Sequence, residues 1–125
     1  MGQIPRIRIL HVEDNAPDAE LIALTLQDSG LNCDIRLARS LNECRTALAE
    51  GGYQLVLSDS HSHDFRGRDI LHLVREYLPG VPFIFLSGSF DDTDPVLLHT
   101  EGAADCLLKD ELRKLAPTVR RVLGI

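Results

Sequence analysis

Apolar residues along the chain fall into five short runs, separated by stretches in which they recur every three or four positions. The runs are Ile7–Val12, Cys33–Leu37, Leu55–Leu57, Val81–Leu86 and Cys106–Leu108, rich in Ile, Leu and Val and too short for helices. The third and fourth are almost continuously apolar, as strands covered on both faces of a parallel sheet must be. Between them the spacing predicts helices with clear start and stop signals. Asn15 caps the first, with Pro17, Asp18 and Glu20 in its opening turn; Ala19, Ile22, Ala23 and Leu26 form its apolar stripe, and Gly30 ends it. Ser40 and Glu43 make a capping box for the second, which presents Leu41, Cys44 and Leu48 inward and stops at Gly51. The third carries Ile70, Val74 and Tyr77 before Pro79-Gly80. A fourth, shorter helix is expected from near Asp92, with Pro95 in its first turn, to Gly102. Because Pro117 cannot sit inside a helix, Glu111–Leu115 reads as a turn and the last helix as starting around Pro117.

Five strands alternating with helices through short connections imply right-handed crossovers, hence a three-layer α/β fold with a parallel sheet between two helical layers. The 125 residues form one domain by this reading, 1–125, large enough to bury a core without disulfide or metal support. The last apolar pattern is cut off after about two turns, which suggests a domain excised from a longer protein. No apolar run approaches the roughly 20 residues of a membrane span. The three cysteines, Cys33, Cys44 and Cys106, are odd in number and lack CxxC spacing, so they read as reduced core residues of a cytoplasmic protein. A formal charge of −6 speaks against direct binding to nucleic acid. The basic cluster Arg113, Lys114, Arg120 and Arg121 reads chiefly as a solvated face that complements the last helix dipole.

In an open α/β sheet, chemistry gathers at the carboxyl ends of the strands, where the topology switches direction. Those ends carry Glu13-Asp14 after the first strand, Asp59 after the third, Ser87-Gly88 after the fourth and Lys109 after the fifth. At about 5 Å and an effective dielectric near 20, each pair of carboxylates repels by on the order of 3 kcal/mol. Such a cluster is tolerated chiefly around a cation, and an oxygen-only donor set with room for water suits Mg²⁺ better than zinc. A carboxylate beside Mg²⁺ is then a nucleophile toward an activated phosphoryl group, with Lys109 and Ser87 placed to stabilise its oxygens.

The segments ILHVEDN at 9–15, YQLVLSD at 53–59, VPFIFLSGS at 81–89 and GAADCLLKD at 102–110 together resemble the receiver domain of response regulators in two-component signalling. The resemblance spans essentially the whole chain and is nearest in kind to the chemotaxis-regulator fold. It implies a flavodoxin-like, doubly wound sheet in the order 2-1-3-4-5. It also implies a phosphorelay role in which Asp59 accepts a phosphoryl group from the phosphohistidine of a histidine kinase or phosphotransfer protein, followed by a conformational switch. Such a domain is no enzyme in the ordinary sense, catalysing only its own phosphorylation and slow dephosphorylation. Glu13, Asp14 and Asp59 would hold Mg²⁺ with the backbone carbonyl of His61. Ser87 would be the switch hydroxyl, Lys109 the phosphoryl partner, and Gly67 the glycine that turns the loop into the third helix. A homodimer through the fourth and fifth helix–strand elements is a further expectation of the family.

Three positions depart from the family pattern. Cys106 stands where an aromatic residue usually reports phosphorylation, His63 where a proline usually follows the acceptor, and Asp110 where a cis-proline usually follows the lysine. A non-proline cis bond costs about 3 kcal/mol, so Lys109-Asp110 is expected to be trans. The loop Ser60–Arg66 is expected to be more mobile and polar than in typical relatives, and its His61-x-His63 pair reads as solvated loop, not a metal site. These departures make a degenerate receiver, acting only as a protein-docking module, the main alternative. An Asp-nucleophile phosphatase would need a second Asp where His61 stands, and a flavin-binding domain would need a phosphate loop where Glu13 and Asp14 stand.

Overall fold

A computed structural model of the protein describes residues 6–62, 65–89 and 99–125. Five strands, β1 (Ile7–Val12), β2 (Cys33–Ala38), β3 (Leu55–Asp59), β4 (Phe83–Ser87) and β5 (Asp105–Leu108), pair in parallel in the order β2-β1-β3-β4-β5. This is the expected flavodoxin-like arrangement. Helices α1 (Ala16–Asp28), α2 (Leu41–Glu50) and α3 (Gly67–Tyr77) lie between the strands, and a C-terminal helix spans Leu115–Leu123. The expected start of a fourth helix at Asp92 and Pro95 lies outside the described residues, as does His63. Its end is described: His99 and Thr100 are helical, and Gly102 follows with φ +113°.

Alternation along the strands sorts the core into two layers. Leu10, Val12, Val56, Phe83 and Phe85 face α2 and α3, where they meet Cys44, Leu48, Ile70 and Val74. Ile7, Ile9, Leu55, Leu57, Ile84 and Leu86 face α1 and the C-terminal helix, against Ile22, Leu26, Leu115 and Val119. Both faces of β3 and β4 are buried, which is why these strands read as nearly continuous apolar runs. Among the described residues, no helix is long and apolar enough to cross a membrane.

The helix signals act largely as their chemistry requires. Asn15 Oδ1 accepts from the Asp18 N–H at 3.0 Å, and Ser40 Oγ accepts from the Glu43 N–H at 3.1 Å. The Glu43 carboxylate reaches back to the Arg39 N–H instead of that of Ser40, so the capping box is shifted by one residue. The C-terminal helix starts at Leu115, earlier than expected, because a proline two residues further on still lies in the first turn, where no intrahelical donor is needed. Before it, Lys109–Lys114 is a 3₁₀ segment.

Two sequence expectations need correction. Tyr77 is 47% exposed and does not continue the inner face of α3; Leu71 takes that role, because the buried face follows Gly67, Ile70, Leu71 and Val74. Of the three cysteines only Cys44 is fully buried, while Cys33 and Cys106 are half-buried, since both lie on edge strands.

Candidate functional site

The register brings the four strand ends level. Val12 pairs with Ser58, Asp59 with Leu86, and Ser87 with Leu108, so the residues at and just beyond these ends open on one crevice. One carboxylate oxygen each from Glu13, Asp14 and Asp59 lies within 4.8 Å of the other two. Lys109 Nζ lies 2.8 Å from Glu13 Oε1, 2.8 Å from Asp18 Oδ2 and 3.4 Å from Asp59 Oδ1. Ser87, Gly88, His61 and Lys109 line the same opening beside Asp59. The adjoining part of the crevice, about 350 Å³, is lined by Asp14, Asn15, Asp18, Ser62 and the same Asp59, His61 and Lys109. It is roomy enough for a phosphoryl group.

The electrostatics follow from depth. Glu13 is fully buried. Its Oε2 accepts from the Asn15 N–H at 3.3 Å, and its Oε1 accepts no well-aligned hydrogen bond even though Lys109 is close. Burial pushes Glu13 up to about pH 7; contact with Lys109 opposes this and the charge of Asp59 adds to it. Lys109 behaves in the opposite sense. Burial alone would lower its pKa, but the hydrogen bond to Asp18 and the adjacent charges of Glu13 and Asp59 outweigh that, so its ammonium is held charged.

Lys109 thus serves as a partial substitute for a metal, but four carboxylates face a single cation. The donor set is oxygen only and partly buried, and Glu13 Oε1, ion-paired with Lys109 but accepting no well-aligned hydrogen bond, is a ready ligand atom. These features fit a small hard dication such as Mg²⁺.

Two residues of the site were not among the sequence-predicted ones. Asp18 read as an ordinary acidic residue at a helix start, yet its Oδ2 accepts a hydrogen bond from Lys109. Ser62 Oγ donates to Asp14 Oδ2 at 2.6 Å, across 48 positions of chain. Only the one-turn offset between Asp14 and Asp18 could have pointed to the first, and no sequence signal marks the second. In the β3–α3 loop, the Ser62 N–H donates to the Phe65 carbonyl at 3.0 Å and His61 bridges to Arg66. The His61 N–H donates weakly to Asp59 Oδ1, at 3.4 Å.

Ser87 Oγ donates to the Ser89 carbonyl, holding the hydroxyl at the end of its strand. Cys106 is half-buried and packs against the α2/α3 core; burial, helped by Asp105, pushes its thiol up to about 11, so it is an inert side chain at neutral pH. Lys109-Asp110 is trans, no cis peptide occurring among the described residues. Gly67 has an ordinary φ, unlike the five glycines with positive φ among the described residues, so its role is not conformational freedom. A Cβ there would lie 2.4 Å from Phe85 Cε1 and 2.9 Å from the Asp59 carbonyl oxygen. Gly67 is needed for close approach.

Beneath the site, His11 is 1% exposed and its Nε2 has no hydrogen-bond partner among the described residues. Burial, reinforced by Lys109 and opposed by Asp18, lowers its pKa to about 4. The unfolded chain therefore binds a proton on His11 more readily than the folded one. The associated stability is complete above about pH 6.5 and is lost as pH falls toward 4, amounting to on the order of 3 kcal/mol. His11→Asn is expected to be less stable than wild type at pH 7 but to lose this part of the acid dependence. Urea midpoints between pH 7 and 4.5 measure the difference curve, and parallel curves would contradict the assignment.

Comparison with known proteins agrees with this geometry. The family model for the response regulator receiver domain matches residues 9–120. The alkaline phosphatase synthesis transcriptional regulatory protein SphR of Synechococcus elongatus is 34% identical over 112 residues, covering 84% of this chain and 44% of that protein. The DNA-binding response regulator MtrA of Mycobacterium tuberculosis is 33% identical over 104 residues, covering 83% of this chain and 44% of that protein. The chain thus spans less than half the length of either curated relative. Among solved structures, a response regulator receiver protein from Pseudomonas putida superposes with a TM-score of 0.80 at 28% identity, covering 94% of this chain and 98% of that one. A receiver domain protein from Clostridium thermocellum gives 0.83 at 23% identity, with 94% of both chains covered, a likeness of fold. With five strands in the receiver order and an acidic crevice at their carboxyl ends, the chain belongs to the response regulator receiver domain family.

Proposed function

We propose that this domain is a working phosphoacceptor, taking a phosphoryl group onto Asp59 from the phosphohistidine of a histidine kinase or phosphotransfer protein. The observation that carries the reading is the placement of Asp59 at the end of β3, among two further carboxylates and 3.4 Å from the Lys109 ammonium. An Asp59 oxygen forms the new P–O bond as the P–N bond of the donor breaks, and the leaving imidazole takes its proton from solvent. Lys109 pairs with the phosphoryl oxygens as they turn from the donor to Asp59. The Ser87 hydroxyl exchanges the Ser89 carbonyl for a phosphoryl oxygen, the movement that couples the site to the loop after β4. Glu13, Asp14, Asp59 and the His61 backbone carbonyl would hold Mg²⁺. When bound, the ion supplies positive charge against the phosphoryl oxygens.

Cys106 favours a second reading. A small half-buried side chain in the place of an aromatic reporter leaves the switch to Ser87 and its loop, and in the limit leaves a docking module without phosphoryl chemistry. Homodimerisation through the fourth and fifth helix–strand elements belongs to the same proposal of output by contact, in a cytoplasmic setting.

Incubation with acetyl phosphate, followed by intact mass, separates the readings. A gain of one phosphoryl group that requires Mg²⁺ and is absent in Asp59→Asn is expected. A folded, Mg²⁺-binding protein that takes up no phosphoryl group would favour the docking module.

A further inference from the structure

We infer that Asp18 is a positioning residue that holds the Lys109 ammonium toward α1 and away from Asp59, so that the unmodified site is latched. The inference rests on the phosphoacceptor reading of Asp59 and goes beyond it, by naming what the lysine must leave before it can serve the phosphoryl group. The distances carry it. Lys109 Nζ makes a well-formed hydrogen bond to Asp18 Oδ2 at 2.8 Å and is ion-paired with buried Glu13 Oε1 at the same distance, whereas Asp59 Oδ1 is 3.4 Å away. The ammonium therefore sits closer to a carboxylate outside the metal-binding group than to the acceptor.

Asp18 is suited to the task by its place in the chain. It lies in the first turn of α1, where the helix dipole stabilises its negative charge, and its N–H is fixed by Asn15 Oδ1 at 3.0 Å. Its side chain is 37% exposed against 17% for Lys109, so water can replace the lysine at Asp18 more readily than Lys109 can do without a partner. Breaking the latch is consequently a modest barrier. On phosphoryl transfer, new oxygens beyond Asp59 offer Lys109 a stronger anion, and Asp18 is left to solvent.

Three forms of the full chain separate this from its competitors: wild type, Asp18→Asn and Asp18→Ala, each at saturating Mg²⁺ with acetyl phosphate and intact mass as the readout. Asn keeps an oxygen that accepts from Lys109 but loses the charge; Ala loses both. The latch predicts uptake rates in the order wild type, Asn, Ala, with Ala faster than wild type by roughly five- to tenfold, the weight of one charge-assisted hydrogen bond partly replaced by water. In a metal-free crystal structure of Asp18→Ala, Lys109 Nζ is expected to close on Asp59 Oδ1 to about 2.8 Å, the length of a charge-assisted bond.

Equal acceleration in both variants would mean that only the charge of Asp18 matters, and would overturn the latch. So would an Ala variant no faster than wild type, or a Lys109 that stays in place. Absence of modification in wild type would instead remove the phosphoacceptor reading, and the latch with it.

Discussion

Replacing Lys109 with methionine is expected to slow phosphoryl uptake on the order of a hundredfold, the usual consequence of losing one group aimed at developing charge. The same substitution is expected to tighten Mg²⁺ binding severalfold. Both effects follow from one arrangement. Lys109 is the cation that Glu13, Asp18 and Asp59 share, so its removal leaves Glu13 and Asp59 facing each other within 4.8 Å, where repulsion is worth on the order of 3 kcal/mol. A dication then gains what the lysine gave up, while the phosphoryl oxygens lose their partner. Calorimetric Mg²⁺ titration and the rate of mass gain read the two effects separately. An unchanged uptake rate would show that Lys109 is only a counter-ion for Glu13, and weaker Mg²⁺ binding would show that it organises the ligands.

The second large effect concerns stability. Gly67→Ala is expected to destabilise the domain by about 3 kcal/mol, at the upper end of what overpacking a core produces. In an unconstrained helix the same exchange would stabilise by roughly 0.5–1 kcal/mol, so even the sign is diagnostic. Here the added Cβ meets the Phe85 ring at 2.4 Å. That ring is fully buried and packed against Phe83 with centroids 4.7 Å apart, so it has nowhere to turn. The Asp59 carbonyl oxygen, the other near neighbour, is backbone of the acceptor residue itself. The lowered urea midpoint should come with an unchanged slope, and with slower phosphoryl uptake as Asp59 is displaced. A midpoint equal to or above wild type would contradict the close-packing account.

Much of this was legible in the chain because the relevant signals are local. Burial on both faces makes β3 and β4 continuous apolar runs, and Asn15, Ser40 and the glycines at 30 and 51 act within one turn of where they stand. The strand ends follow from those elements, and with them the places of Glu13, Asp14, Asp59, Ser87 and Lys109. What escaped is contact between segments far apart in sequence. Asp18 looks like a dipole partner until Lys109 is seen 91 positions away, and Ser62 like loop polarity until it reaches Asp14. Gly67 stands out in the sequence as a loop-turning glycine, but its close approach to a ring on a neighbouring strand leaves no mark on the local pattern. Tyr77 and Cys106 erred toward the core because an apolar residue near the end of a helix or on an edge strand has too few neighbours to bury it.

The phosphoryl group's chemical position tests the central claim most directly. After treatment with acetyl phosphate and Mg²⁺, borohydride reduction converts an aspartyl phosphate to homoserine, which peptide sequencing by tandem mass spectrometry places on the chain. Homoserine at position 59, and at neither 14 nor 18, is the expected result. A phosphoryl group on Asp14, or on a serine that survives borohydride unchanged, would contradict the assignment of Asp59 as acceptor.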